Sequence, residues 1–124
     1  MTFSLTIKTA EDLAAEAVDQ ERDRIKARRN KALATGTTVS GMPIATDDTS
    51  QSRITGAALA VALDPQTTIQ WKTGSGFVTL DAAQVIDIAQ AVRAHVQACF
   101  DREAELLAAL DAEEGYSIED GWPS

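Results

Sequence analysis

The sequence predicts an α+β protein: an N-terminal strand and a long helix, followed by two β-hairpin–helix units, the last helix long and protruding. Three observations predict this fold class. Residues 2–8 alternate between apolar and polar side chains, residues 9–36 are rich in Ala, Glu, Arg and Lys, and segments 37–63 and 67–94 share one plan. Apolar side chains at every second position are typical of a half-buried strand. Ala, Glu, Arg and Lys favour helices.

The N-terminal strand is predicted over residues 2–8, where Phe3, Leu5 and Ile7 alternate with polar side chains. A strand this short is not stable alone. It must therefore pair either with the chain's own hairpins or with a sheet edge of a neighbouring molecule, and the sequence leaves both arrangements open.

The first helix is predicted to begin after Thr9, with Asp12 three residues on, and to stop at Gly36. Its apolar stripe is thin, so most of its circumference is expected to face solvent or a partner. Residues 22–31 form a basic half-helix, interpreted mainly as a solvated face, with phosphate or an acidic partner as the alternative. Because the residues from Asp111 onward are acidic, a complementary surface on another copy of the chain is also expected.

Each repeated segment starts with a Thr-Thr-β-branched run, turns at glycine and returns through a second apolar run. An aspartate then opens a helix, because its carboxylate accepts hydrogen bonds from the free N–H groups of the first turn. Gln51 lies three residues after Asp48, and Gln84 three after Asp81, which is the spacing of a capping box.

The helix of the first unit is predicted from about Thr49 to Leu63, ending before Pro65. Gly56 lies inside this helix, where glycine lowers helix stability by about 1 kcal/mol relative to alanine. A tight packing contact is the expected reason for this glycine.

The last helix is predicted from Asp81 to about Ala112 and would be on the order of 45 Å long, whereas a compact domain of this size is nearer ~30 Å across. Its distal part must therefore pack on the first helix, running antiparallel to it, or on another subunit. The predicted organisation is one domain over residues 1–112 and an acidic, aromatic C-terminal segment over residues 113–124. That segment is either a mobile end or a docking peptide for pockets on a partner.

Composition narrows the class of function. The formal charge is -8, which argues against sequence-independent nucleic-acid binding. The sequence contains neither a bilayer-spanning apolar stretch nor a secretory signal. A single cysteine, Cys99, permits no internal disulfide, so synthesis in a reducing cytoplasm is expected.

Enzymatic chemistry is not predicted. His95 lies four residues before Cys99, so the two side chains share a helical face, but nothing nearby resembles an oxyanion hole. We interpret them as a buried thiol beside a histidine with satisfied hydrogen bonds. One cysteine and one histidine are too few for a zinc site, and the aspartates after the hairpins are interpreted as helix caps. Trp71 is expected to pack in the core. No catalytic residue, cofactor or metal is predicted.

Short motifs in a fixed order span about Lys31 to Leu107. They are TDDTSQSRITGA from Thr46, then Trp71-Lys72, Gly76 and Leu80, and AV..HV..CF ending at Phe100. This series resembles a domain of unassigned function found in tailed bacteriophages and prophages, alone or at the end of tail-fibre and tail-fibre-assembly proteins.

The resemblance implies a non-enzymatic structural component of a phage tail, at the tail tip, baseplate or fibre attachment, located in the virion tail after synthesis in the host cytoplasm. A tail-fibre assembly chaperone absent from the mature virion is the alternative. The implied partners are other phage tail proteins and further copies of the chain, a homo-oligomer, with no nucleic acid, membrane or small-molecule substrate. The residues predicted to bind these partners come from the N-terminal strand, the distal part of the last helix and the C-terminal segment. They are Phe3, Leu5, Ile7, Phe100, Leu106, Leu107, Leu110, Tyr116, Ile118 and Trp122.

Overall fold

A computed structural model describes residues 9–124. It confirms the α+β class, with three helices and two small antiparallel sheets. The elements are α1 (Ala10–Leu33), β1 (Thr37–Val39), β2 (Met42–Ile44), α2 (Asp48–Leu63), β3 (Ile69–Thr73), β4 (Gly76–Leu80) and α3 (Ala82–Asp111). The predicted strand over residues 2–8, with Phe3, Leu5 and Ile7, lies outside the described residues.

Two of the predicted helix starts are confirmed as complete capping boxes. The Thr9 hydroxyl accepts from the backbone N–H of Asp12, whose carboxylate accepts from the N–H of Thr9. Asp81 and Gln84 form the same reciprocal pair at the start of α3. Each box satisfies two N–H groups that the helix itself leaves unpaired.

The predicted capping box of α2 is wrong. Of the two aspartates predicted to open this helix, Asp47 and Asp48, the N-cap residue is Asp47, and its side chain makes no capping hydrogen bond. The amide of Gln51 instead donates to the Thr46 carbonyl at 2.8 Å, so it cannot reach back to the cap. Thr46 is fully buried, and its hydroxyl bridges the Leu33 carbonyl and the Gly36 N–H. The end of α1 therefore fixes where α2 begins.

The two hairpins form separate two-stranded sheets. In the first, Thr37 lies opposite Ile44, and in the second Ile69 lies opposite Leu80. Among residues 9–124 no third strand joins either sheet. Each hairpin consequently keeps an unpaired edge, which is a template for a further strand.

One buried apolar cluster joins the two hairpin–helix units. The N-terminal half of α3 runs through it and contacts side chains from α2, β2 and β4. Its members are Ile44, Ile54, Val61, Leu80, Val85, Ile88 and Val92, with Trp71 packed against them as predicted.

The distal half of α3 packs antiparallel on α1, which is one of the two predicted arrangements. The pairing runs from Ala32 beside His95 to Arg22 beside Asp111. A second group of buried residues lies between these helices: Ile25, Ala32, Cys99 and Leu106. The first turns of α1 extend past the end of α3, and no side chain from Ala10 to Gln20 is buried.

The predicted tight contact at Gly56 is wrong, because a Cβ built there would meet nothing within 4 Å. The close approach occurs at Gly36, where φ is +83° and a Cβ would come within 3.0 Å of the Ile44 carbonyl oxygen. Gly56 instead borders an open groove, described below.

Candidate interaction surface

The predicted contact residues of distal α3 are distributed between core and surface. Leu106 is 1% exposed, and Leu107 and Leu110 are half-buried. Phe100 is exposed, and the Arg29 guanidinium lies over its ring at 4.9 Å. Leu106 therefore stabilises the helix pair, whereas Phe100 is open to a neighbouring molecule.

The C-terminal segment docks on its own chain. The Tyr116 hydroxyl donates to Glu21 of α1 at 2.8 Å, and the Trp122 indole N–H donates to the Ile118 carbonyl at 2.7 Å. Tyr116, Ile118 and Trp122 are all half-buried there. The surface that receives these side chains belongs to the same chain.

Two arginines hold the C-terminal segment in place. Arg102 of α3 donates to the backbone carbonyls of Ser117 and Asp120, at 3.3 and 2.9 Å. Arg28 of α1 lies 5.3 Å from the Trp122 ring centroid and donates to the Glu119 carboxylate at 2.9 Å. Charge-assisted hydrogen bonds and cation–π contacts of this kind fix orientation as well as adding stability.

The basic half-helix has acidic partners within its own chain. Arg29 makes a bidentate contact with Glu103 at 2.8 and 2.9 Å, and Arg22 contacts Asp111 at 3.1 Å. Since Arg28 pairs with Glu119, three of the cations are already partly neutralised by α3 and the C-terminal segment. This reduces the charge available to phosphate or an acidic partner.

His95 and Cys99 are both buried where α1 packs on α3. The predicted burial is confirmed, but the prediction of a histidine with satisfied hydrogen bonds is wrong for Nδ1. His95 Nε2 lies 2.9 Å from the Ala32 carbonyl, so that nitrogen carries the proton and donates. Its distance to Cys99 Sγ is 3.9 Å, and Nδ1 has no hydrogen-bond partner among residues 9–124. A nitrogen that already donates to a carbonyl cannot take the thiol proton. The arrangement lacks the base and the orienting group of an activated nucleophile.

Burial raises the pKa of the Cys99 thiol above its ordinary value, although Arg28 and Arg29 act in the opposite direction. Because the thiolate is the reactive form, we expect a thiol reagent at pH 8 to label folded protein at least about 100-fold more slowly than protein in denaturant. The reagent releases a coloured aromatic thiolate when it reacts with the cysteine. The absorbance of this product gives the labelling rate of folded and of denatured protein. Equal rates would show that the site is open and that the thiol is not protected.

An uncovered apolar groove of about 420 Å³ lies between α2 and β3. The α2 side consists of Arg53, Gly56, Ala57 and Ala60, which share one helical face at spacings of three and four. The opposite side consists of Ile69, Gln70, Trp71 and Lys72, with Phe77 of β4. Small residues on the helix leave the space that the groove occupies.

Apolar surface continues beyond the groove. Phe77 is 67% exposed, and Leu63, one turn after Ala60, is 79% exposed. Arg53 and Lys72 are the charged residues that line the groove, and neither forms an ion pair within residues 9–124. The groove is therefore an apolar surface with two unpaired cations on an acidic protein.

The profile of one protein family, described as a domain of unknown function (DUF4376), matches residues 14–120. The chain belongs to this family. No curated protein and no solved structure matches the chain significantly.

The matched region of this DUF4376 chain reaches from α1 through α3 and includes most of the C-terminal segment. Within residues 9–124, no three His, Cys, Asp or Glu side chains come together as metal ligands. Over that same range, no helix combines the length and apolarity needed to cross a bilayer.

Sequence reasoning missed the groove of the DUF4376 domain. The signal was present, because small residues recur on one face of α2 directly before a strand carrying Trp71. We interpreted Gly56 as the site of a tight packing contact. The sequence does not reveal that β3 faces these small residues across an open groove.

Proposed function

We propose that the protein is a non-enzymatic structural component of a bacteriophage tail, at the tail tip, baseplate or fibre attachment, and that it acts through protein–protein contacts. The phage context rests on the ordered motifs from Thr46 to Phe100. Its location would be the virion tail, and its partners other tail proteins and further copies of the chain.

The observation that carries the binding role is the uncovered apolar surface along the groove. Phe77 and Leu63 add large exposed side chains to it, and Leu59 on α2 is also mostly exposed. An open apolar groove with large exposed apolar side chains on the same elements favours a contact site. Phe100, on distal α3, provides a second exposed aromatic side chain.

The non-enzymatic part of the proposal is supported by the placement of the two most reactive side chains. Cys99 is fully buried and keeps its proton, while the His95 Nε2 proton is committed to the Ala32 carbonyl. Neither reaches the groove, which is lined by residues of α2, β3 and β4.

Quantitative mass spectrometry of purified virions tests this function in a phage that encodes the chain. We expect the protein at a copy number in fixed ratio to known tail proteins, with the main tail-tube protein as the internal standard. If the chain is absent from virions but its deletion leaves particles without fibres, the assembly-chaperone alternative is correct. Absence from virions with normal particles after deletion would overturn both.

A further inference from the structure

We infer that the groove between α2 and β3 receives residues Phe3 to Ile7 of a second copy of the chain, as a strand added to the free edge of β3. This deepens the proposed function by naming a self-assembly surface. It rests only on the protein–protein part of that proposal, so the phage role can fail without affecting it.

The first argument is that the groove follows the edge of β3. Successive side chains of a strand point to opposite faces, so a cleft on one face would contact every second residue. This groove contacts four consecutive residues, from Ile69 to Lys72. It therefore reaches the side of β3 that faces α2, and within residues 9–124 no strand other than β4 pairs with β3. Unpaired backbone groups there can accept another strand.

The second argument is the match between groove and segment. β3 has five residues, and Phe3 to Ile7 is also a run of five, with its three apolar side chains on one face. The α2 wall opposite consists of Gly56, Ala57 and Ala60, which leave room for large side chains. The outward residues of such a strand are Ser4 and Thr6. Both are neutral, so a strand in the groove would bring no further charge next to Arg53 and Lys72.

The third argument is distance: the N-terminal segment of a chain is too short to reach the groove of that same chain. Thr9 precedes Ala32 by 23 residues of helix, or about 34 Å. Ala32 contacts His95, and the groove's hairpin packs against α3 one to two turns further away, near Ile88. The separation between Thr9 and the groove is thus roughly 45 Å. Six residue steps, from position 9 back to position 3, span at most roughly 20 Å in any conformation, so the occupant comes from another molecule.

Four variants and one peptide test the inference on the full chain. Gly56→Leu fills the groove, and Gly56→Ala is its control, because both improve helix propensity and only the first blocks the cleft. Leu5→Lys places a charge on the apolar face of the segment, and Thr6→Lys places the same charge on the opposite face. Light scattering after size separation gives the mass, relative to 13.2 kDa for one chain.

We expect the wild-type, G56A and T6K proteins to share one mass above that of a single chain at roughly 100 μM. For G56L and L5K we expect the dissociation constant of self-association to be at least about tenfold higher than for the wild-type protein. Circular dichroism and melting curves confirm that the variants are folded. A synthetic peptide of residues 2–9 should bind L5K, whose groove is intact, and not G56L.

A monomeric wild-type protein at that concentration would overturn the inference. So would association that survives in both G56L and L5K, because the contact would then lie elsewhere. Failure of the peptide to bind L5K would show that a different occupant, such as an acidic partner held by Arg53 and Lys72, belongs in the groove. None of these results depends on whether the protein is found in virions.

Discussion

Replacing Ile25 by alanine is expected to lower the free energy of unfolding by about 2–4 kcal/mol. Ile25 is fully buried at the centre of the contact between α1 and α3. Truncation removes buried methyl groups and leaves a cavity that two packed helices cannot close. Denaturant unfolding followed by circular dichroism measures the change, with the slope of the transition checked for constancy.

Leu13→Ala is the matched control for this prediction. Leu13 lies on the same helix, but it is 54% exposed in the turns that extend beyond α3. We expect its loss to change stability by no more than about 0.5 kcal/mol. Similar losses for the two variants would mean that α1 does not pack on α3 as described.

The second large effect is expected at the Arg29–Glu103 pair. Both side chains are only 15% exposed, and the guanidinium also lies over Phe100. Arg29→Ala removes the bidentate contact and leaves the Glu103 carboxylate largely buried without its cation. We expect the free energy of unfolding to fall by about 2–3 kcal/mol. An unpaired buried charge destabilises the fold by more than the ion pair stabilises it.

Arg22→Ala provides the comparison, because its pair with Asp111 is more than half exposed on both sides. Its expected cost is below about 1 kcal/mol. The double variant Arg29→Met, Glu103→Leu should recover most of the loss, because it removes both charges and keeps apolar volume. If R29A and R22A lower the free energy of unfolding by the same amount, burial does not determine how much these ion pairs stabilise the protein.

Much of the fold could be predicted from the sequence because its signals are local. The capping residues Thr9 and Asp81 act on N–H groups within three residues, and a periodic apolar stripe identified α3 along its length. The predicted length of α3 required its distal part to pack on the first helix or on another subunit, and it packs on the first helix. These features depend on chain geometry and on short-range chemistry, which a single sequence contains.

What could not be predicted depends on contacts between distant segments. Gln51 turns to the Thr46 carbonyl because Thr46 is fixed by the end of α1, which no local pattern reveals. The C-terminal segment was interpreted as free or bound to a partner, yet its anchors Arg28 and Arg102 come from two separate helices. The groove likewise exists only where α2 meets the edge of β3.

The long helix α3 belongs to both buried groups of residues, one beneath the hairpins and one against α1. The two groups are linked through the middle of α3, because unfolding its central turns would expose Val92 of one group and Cys99 of the other. The protein therefore has two buried apolar groups, and we expect it to unfold in a single cooperative transition. We therefore expect that a substitution that weakens packing beneath the hairpins also lowers the stability of the contact between α1 and α3.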